Sequence, residues 1–101
     1  MSHKSYKISN KALADLESIW LYTYKNWSLE QADRYYKLII DEIEFIADNI
    51  QSGKSMEHIR KGYLVAKVKS HLVFYRSNDN TVEIIRILHQ MMDVENRLNE
   101  D

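Results

Sequence analysis

The chain has 101 residues with 45% hydrophobic and 29% charged side chains, which fits one soluble globular domain spanning residues 1–101. The formal net charge of −1 argues against nucleic-acid binding through the overall field, and the lack of cysteine excludes disulfides, thiol nucleophiles and zinc-thiolate sites. The first residues are polar, and no stretch approaches the roughly 20 apolar residues of a membrane span. We therefore expect a cytoplasmic protein without membrane contact.

The first predicted elements are a short strand and a helix. Ser5 to Ser9 alternates, with Tyr6 and Ile8 on one side, and Asn10 follows as a good helix N-cap. Apolar residues then recur at the helical period, which predicts a helix from about Asn10 to Lys25. The members of its apolar stripe are Ala12, Leu13, Leu16, Ile19, Trp20, Tyr24 and Trp27.

A second helix is predicted directly after the first. Ser28, with Gln31 three residues later, has the form of a capping box, and Gly53 stands where the helix is expected to end. Because the link is short, the two helices should form an antiparallel hairpin. The second apolar stripe comprises Ala32, Tyr35, Tyr36, Ile39, Ile43, Ile46, Ala47 and Ile50.

After Gly53 the apolar period falls to about two, which is typical of strands. Two groups of turn-forming residues divide this region, Lys69-Ser70-His71 and Ser77-Asn78-Asp79-Asn80. They predict three consecutive antiparallel strands, at Gly62 to Val68, Leu72 to Arg76 and Thr81 to His89. Met91 to Asn99 is compatible with one or two closing helical turns. The predicted fold class is α+β, with a strand, a helix hairpin, a three-stranded antiparallel segment and a short C-terminal helix.

Simple alternation assigns the faces of the last strand. It places Ile85, Ile87 and His89 on one face, and it places the others on the opposite face: Val82, Ile84, Arg86 and Leu88. Both faces are largely apolar, so both are expected to be covered.

Aromatic side chains concentrate on the helix pair. Stacking on nucleobases is one use of such a set, but all except Tyr22 share a helical stripe with aliphatic residues, which favours core packing. Tyr22, Leu38 and Phe45 lie away from the stripe centres and suit either a partner surface or another part of the core. The full set is Trp20, Tyr22, Tyr24, Trp27, Tyr35 and Tyr36.

The chemical motifs are few. The four histidines have no spacing that would gather metal ligands on one element, there is no nucleophile elbow, and two glycines cannot build a phosphate-cradling loop. Neither a metal nor a cofactor is predicted. Lys54 to Arg76 contains six Lys and Arg residues against only Glu57, which indicates either a basic face or ordinary solvated charge.

A set of basic residues and one histidine remains as the candidate site. A metal-independent ribonuclease could use the histidine as general acid or base and the arginines to stabilise the charged transition state. The alternative is that Arg76 and Arg86 pair with carboxylates such as Glu83 or Asp93, and that the histidine is a hydrogen-bonded residue at a strand end. The candidates are Arg60, Arg76, Arg86 and His89, with Lys61 beside Arg60.

Segments in every predicted element carry a family resemblance. The most specific is Arg86-Ile87-Leu88-His89 followed by Asp93. The others are Tyr6-Lys7-Ile8-Ser9, Asp15-Leu16-x-x-Ile19-Trp20, Gln31-Ala32-x-x-Tyr35, Arg60-Lys61-Gly62-Tyr63 and His71-Leu72-Val73-Phe74-Tyr75-Arg76. Together they resemble ParE toxins of the RelE/ParE toxin-antitoxin superfamily along nearly the whole chain.

The resemblance implies a toxin that is neutralised by a small ParD-like antitoxin and that poisons DNA gyrase, without sequence-specific nucleic-acid binding of its own. The related RelE branch cleaves messenger RNA on the ribosome, and some of those nucleases have a histidine followed by tyrosine near the chain end. Here Gln90 follows His89. A ribosome-dependent ribonuclease and a non-toxic antitoxin-binding module are therefore the alternative functions. The antitoxin is expected to dock on exposed apolar positions, with acidic side chains meeting Lys54 to Arg76.

Overall fold

The computed structural model describes residues Ser5 to Asn99, which form an α+β fold as predicted. A five-stranded sheet has the strand order β1-β5-β4-β3-β2, in which β1 runs parallel to β5 and the other neighbours are antiparallel. The elements are β1 (Ser5–Ile8), α1 (Asn10–Asn26), α2 (Leu29–Asp48), a 3-10 turn (Ile50–Ser52), β2 (Lys54–Ser55), β3 (Leu64–Val68), β4 (His71–Asn78), β5 (Thr81–His89) and α3 (Val94–Leu98).

The predicted three-stranded antiparallel segment corresponds to β3, β4 and β5, and the closing helix corresponds to α3. The short strand β2, at the sheet edge, was not predicted. No helix within Ser5–Asn99 is long and apolar enough to cross a membrane.

Serine side chains begin both long helices. The Ser28 hydroxyl accepts a hydrogen bond from the Gln31 amide at 3.1 Å, which confirms the predicted start of α2. The first helix is capped one residue earlier than predicted, because Ser9 rather than Asn10 accepts from the Ala12 amide, at 3.0 Å. Satisfying one of the first free amides of a helix in this way typically contributes about 1 kcal/mol.

Gly53 does not mark the end of α2. The helix ends at Asp48, and the 3-10 turn separates it from Gly53, whose φ of −77° is open to any residue. The glycine is needed because Tyr75 lies against it: the Gly53 amide donates to the Tyr75 hydroxyl at 2.9 Å, and that hydroxyl donates to the Ile50 carbonyl at 2.8 Å. A Cβ at position 53 would overlap the Tyr75 hydroxyl and lie 2.8 Å from its Cζ.

Two apolar clusters cover the two faces of the sheet, as expected from the composition of β5. The larger cluster packs α1 and α2 against one face, with Leu16, Ile43 and Ile84 among its fully buried side chains. The smaller cluster covers the other face with Phe74, Leu88 and the α3 residue Leu98.

A β-bulge changes the predicted faces of β5. Tyr75 is opposite Ile84 whereas Phe74 is opposite Arg86, so Ile85 is an extra residue in β5. Ile85 consequently packs with the smaller cluster, although Ile87 belongs to the larger one. The predicted alternation, which put Ile85 and Ile87 on one face, is therefore wrong.

We expect Gly53→Ala to lower the free energy of unfolding by about 1–3 kcal/mol, because the added methyl group overpacks a site beside a fully buried tyrosine. Urea denaturation measures the loss. The same substitution should cost less in a Tyr75→Phe background, since the overlapping hydroxyl is then absent. Equal costs in the two backgrounds would show that Tyr75 is not the obstacle.

Candidate functional site

Arg86 is engaged in a structural ion pair with Asp15. Its Nε and Nη2 donate to the two carboxylate oxygens of Asp15 at 2.8 and 3.0 Å, and its Nη1 donates to the Arg97 carbonyl at 3.3 Å. The two side chains are only 12% and 14% exposed. Asp15 also accepts from the Ile87 backbone amide at 2.9 Å. The pair therefore joins α1, β5 and α3. The carboxylate partner of Arg86 is Asp15, and not Glu83 or Asp93 as the sequence suggested.

Arg76 is paired with Glu83, as the alternative interpretation predicted. Arg76 Nε donates to Glu83 Oε1 at 2.7 Å, and the two residues are directly opposite each other on β4 and β5. This hydrogen bond raises the pKa of Arg76. The Arg76 side chain is 46% exposed, so the pair contributes little to stability.

Arg60 contacts the residue that follows α3 and the ring of Tyr63. Its Nη1 donates to Asn99 Oδ1 at 3.3 Å, and its guanidinium carbon lies 5.8 Å from the centre of the Tyr63 ring. This is a cation–π distance.

A basic cleft of about 280 Å³ lies between the start of α1 and α3. Its cations are Lys11, Arg76, Arg86 and Arg97, and Tyr63 and Leu98 supply apolar wall. Arg76 and Arg86 are paired with carboxylates, which lowers the positive charge that the cleft offers to an anion.

His89 belongs to a different groove. Its Nδ1 accepts a hydrogen bond from the Met91 amide at 3.1 Å, which agrees with the alternative reading of a hydrogen-bonded strand end. The second groove, which we call the histidine groove, shares no lining residue with the basic cleft. It is lined by Tyr22, Thr23, Trp27, Gln31, Tyr35, Lys69, Ser70, His71 and His89. The structure thus separates His89 from Arg76 and Arg86.

His71 was missed as a candidate because it was assigned to a turn. It pairs with His89 across β4 and β5, and the two rings meet edge to face with centres 5.2 Å apart. Its Nδ1 lies 2.6 Å from the Tyr35 hydroxyl. Burial, with a smaller effect from His89, lowers the pKa of His71 to about 4, so the ring is neutral at pH 7.

If the register that starts with Asn78 opposite Thr81 continued without interruption, His71 would lie opposite Leu88. The one-residue bulge at Ile85 moves the pairing to His89. Among Ser5–Asn99 no three His, Asp or Glu side chains are grouped so that they could hold a metal ion.

Several aromatic side chains predicted to lie in the core are exposed. Trp27 is 74% exposed, and Tyr24 and Tyr36 are also exposed. Tyr22, which was not assigned to a core stripe, is 66% exposed. The buried residues of α1, Ala12 and Leu16, lie in its first half, so the second half of this helix is less covered. The helical period identifies the apolar face but does not show how far the rest of the fold covers it. Leu38 and Phe45 are exposed, as the partner-surface interpretation of these residues requires.

We expect Arg86→Ala to lower the free energy of unfolding by about 2–4 kcal/mol, because it leaves the mostly buried Asp15 carboxylate without its countercharge. Arg76→Ala is the matched control and should cost about 0–1 kcal/mol, since its ion pair is exposed. Urea denaturation distinguishes the two. Similar losses for both variants would contradict a structural role for the Asp15–Arg86 pair.

We expect His71 to make the folded state less stable in acid. Its folded pKa of about 4 is below the ordinary 6.5, so its contribution is complete above pH 6.5 and is lost as the pH falls towards 4. His71→Asn keeps a donor for Tyr35 but cannot titrate. Urea denaturation at pH 7 and at pH 5 gives the free energy of unfolding at each pH. Its loss between pH 7 and pH 5 should be about 1–2 kcal/mol smaller in the variant than in the wild type. An unchanged loss would show that His71 does not cause it.

Comparisons with known proteins agree with the fold. A family model described as the ParE toxin of the type II toxin-antitoxin system, parDE, matches residues 6–94. The chain is 43% identical over 90 residues to Toxin ParE1 of Caulobacter vibrioides, covering 89% of this chain and 93% of that protein.

Two solved structures share the architecture. A chain of the chromosomal ParDE toxin-antitoxin system from P. aeruginosa matches with a TM-score of 0.75 and 20% identity, over 84% of this chain and 94% of that chain. A chain of the toxin-antitoxin complex RelBE2 from Mycobacterium tuberculosis matches with a TM-score of 0.68 and 18% identity, over 88% and 93%. Since the family model spans most of the sequence, the chain belongs to the ParE toxins of type II toxin-antitoxin systems.

Proposed function

We propose that this toxin poisons DNA gyrase by binding and trapping it, without catalytic turnover of its own, and that a small ParD-like antitoxin neutralises it. Membership of the ParE family supports the gyrase target. The departure at Gln90, where some ribonucleases of the related branch have tyrosine after the histidine, supports the same choice. A gyrase target implies action in the cytoplasm.

The separation of the candidate residues is the observation that carries the proposal. A metal-independent ribonuclease needs its acid or base within reach of the phosphate that its arginines hold. His89 opens on the histidine groove, whereas Arg76 and Arg86 line the basic cleft, and no residue lines both. The Arg86 guanidinium is also neutralised by Asp15. This arrangement argues against cleavage by the predicted combination of His89 with Arg76 and Arg86.

The exposed helix hairpin supports a large protein partner. The second half of α1 and the facing part of α2 carry exposed apolar side chains, among them Leu21, Tyr22 and Tyr36. A groove of about 470 Å³ between these helices is lined in part by Leu21 and Tyr36. A group of exposed apolar side chains on the surface of a small protein is typical of an interaction site.

The antitoxin is proposed to use a groove of about 420 Å³ beside the short edge strand β2. Phe45 supplies exposed apolar surface there, and Lys54 and Lys67 supply positive charge against the single carboxylate of Glu42. An antitoxin segment with apolar and acidic side chains complements this combination. The two lysines belong to the segment that the sequence indicated for acidic contacts.

The test is plasmid supercoiling by purified gyrase with increasing amounts of the toxin. We expect supercoiling to fall and cleaved plasmid to accumulate, because a trapped gyrase holds DNA that it has cut. The His89→Ala variant should inhibit to the same extent, since its ring takes no part in trapping. Arg86→Ala is unsuitable as a functional variant because of its expected instability.

A parallel assay gives the outcome that would contradict the proposal. The toxin is added to ribosomes that are translating a defined messenger RNA, and the RNA ends are mapped. Normal supercoiling together with transcripts cut by the wild type but not by His89→Ala would replace gyrase poisoning with ribonuclease activity. Inactivity in both assays would favour a module that only binds its antitoxin.

A further inference from the structure

The histidine groove has the chemistry of a ligand site that the proposed gyrase mechanism does not use. It has a volume of about 420 Å³, within the range of small-molecule sites. Among its lining residues, Lys69 carries a positive charge and none is a carboxylate. The groove therefore favours an anionic ligand over a cationic one.

We assign the proton of the neutral His71 ring to Nδ1 from its neighbours. The Tyr35 hydroxyl lies 3.1 Å from the Val68 carbonyl oxygen, which can only accept, and burial raises the pKa of Tyr35, which keeps the hydroxyl protonated. With the single hydroxyl hydrogen assigned to Val68, Nδ1 of His71, 2.6 Å from the hydroxyl oxygen, is the donor. Nε2 of His71 is left with a bare lone pair and acts as an acceptor.

His89 has the opposite arrangement. Its Nδ1 accepts from the Met91 amide, so the neutral ring carries its hydrogen on Nε2. Neither Nε2 atom has a hydrogen-bond partner among the described residues. No buried side-chain nitrogen or oxygen of the described chain lacks a partner, so both Nε2 atoms are accessible. The groove thus presents an acceptor and a donor on two rings that are 5.2 Å apart between centres.

Two aromatic faces complete the groove. Tyr22 and Trp27 both line it while remaining 66% and 74% exposed. Exposed aromatic rings of this kind stack on the planar faces of nucleobases. Neither ring has a hydrogen-bonding or aromatic partner in the described chain that would account for its position at the groove.

We propose that the histidine groove binds a nucleotide. The base stacks on Trp27, its edge donates to Nε2 of His71 and accepts from Nε2 of His89, and its phosphate is held by Lys69. The edges of nucleobases present a donor beside an acceptor, which matches the two histidines. This site shares Tyr22 with the helix surface proposed for gyrase and shares no lining residue with the antitoxin groove. Its test uses the toxin alone, so it does not depend on either partner.

A peptide segment is the other ligand that presents a donor beside an acceptor. It is disfavoured because a single amide uses neither the two exposed aromatic rings nor the lysine. A nucleotide uses all three kinds of group. A simple amide, N-methylacetamide, therefore serves as the competing probe.

The experiment is a titration of the purified toxin with adenosine monophosphate, followed by NMR. We expect a saturable shift of the Trp27 indole N–H and of the His71 and His89 ring signals. The Trp20 indole N–H, which donates to Asp33 at 2.9 Å, is an internal control and should not move. Trp27→Ala should weaken binding by about 5- to 100-fold, the range expected for loss of one stacking partner. Tyr24→Ala, an exposed tyrosine outside the groove, should have no effect.

Two further arms test the edge and phosphate contacts. N6,N6-dimethyladenosine stacks but has no donor hydrogens on its amino group, so it should bind more weakly than adenosine. Lys69→Asn should weaken binding of the monophosphate but not of adenosine, and asparagine tolerates the left-handed φ of 55° at this position. Absence of a saturable shift, equal binding by Trp27→Ala, or equally good binding of N-methylacetamide would overturn the proposal.

Discussion

The carboxylate of Asp15 is the contact on which the arrangement of helix, sheet and C-terminal turn depends. β1 pairs with β5 only as far as Ile84, so the rest of that edge of β5 needs other partners. The first turns of α1 supply them: the Ser9 hydroxyl donates to the Ile85 carbonyl at 2.8 Å, and Asp15 accepts from the Ile87 amide. Arg86 neutralises Asp15 and carries the connection on to α3. A residue that looked like a phosphate ligand is thereby part of the framework.

The bulge at Ile85 decides which side chains meet on the two sheet faces. It lets β5 present Ile84 and Ile87 to the helices while Ile85 and Leu88 pack on the other side. It also shifts the pairing of β4 and β5 by one residue, which places His71 opposite His89. The histidine groove and the core packing therefore have a common origin in one inserted residue.

Local signals in the sequence were sufficient for the helix hairpin and for β3 to β5, because Ser28, the alternating residues and the turn at Ser77 to Asn80 act over short distances. Ser9 and Asn10 are equally good caps on local grounds, and the contact of Ser9 with Ile85, far along the chain, decides between them. The bulge cannot be recognised in the sequence pattern of β5, since both faces of the strand are apolar with or without it. The partner of Arg86 could not be predicted either, because Asp15 is 71 residues away in the sequence.

The position of β5 in the sheet also affects the order in which the toxin acquires its structure during synthesis. The strand that joins β1 to β4 is the last strand in the described part of the chain, so a nascent polypeptide that has emerged only as far as Asn80 contains both long helices but cannot yet complete the sheet. Long-range pairing of this kind slows folding relative to local contacts. The finished surfaces therefore form only after β5 has been synthesised, and a partner that recognises them cannot bind a shorter nascent chain.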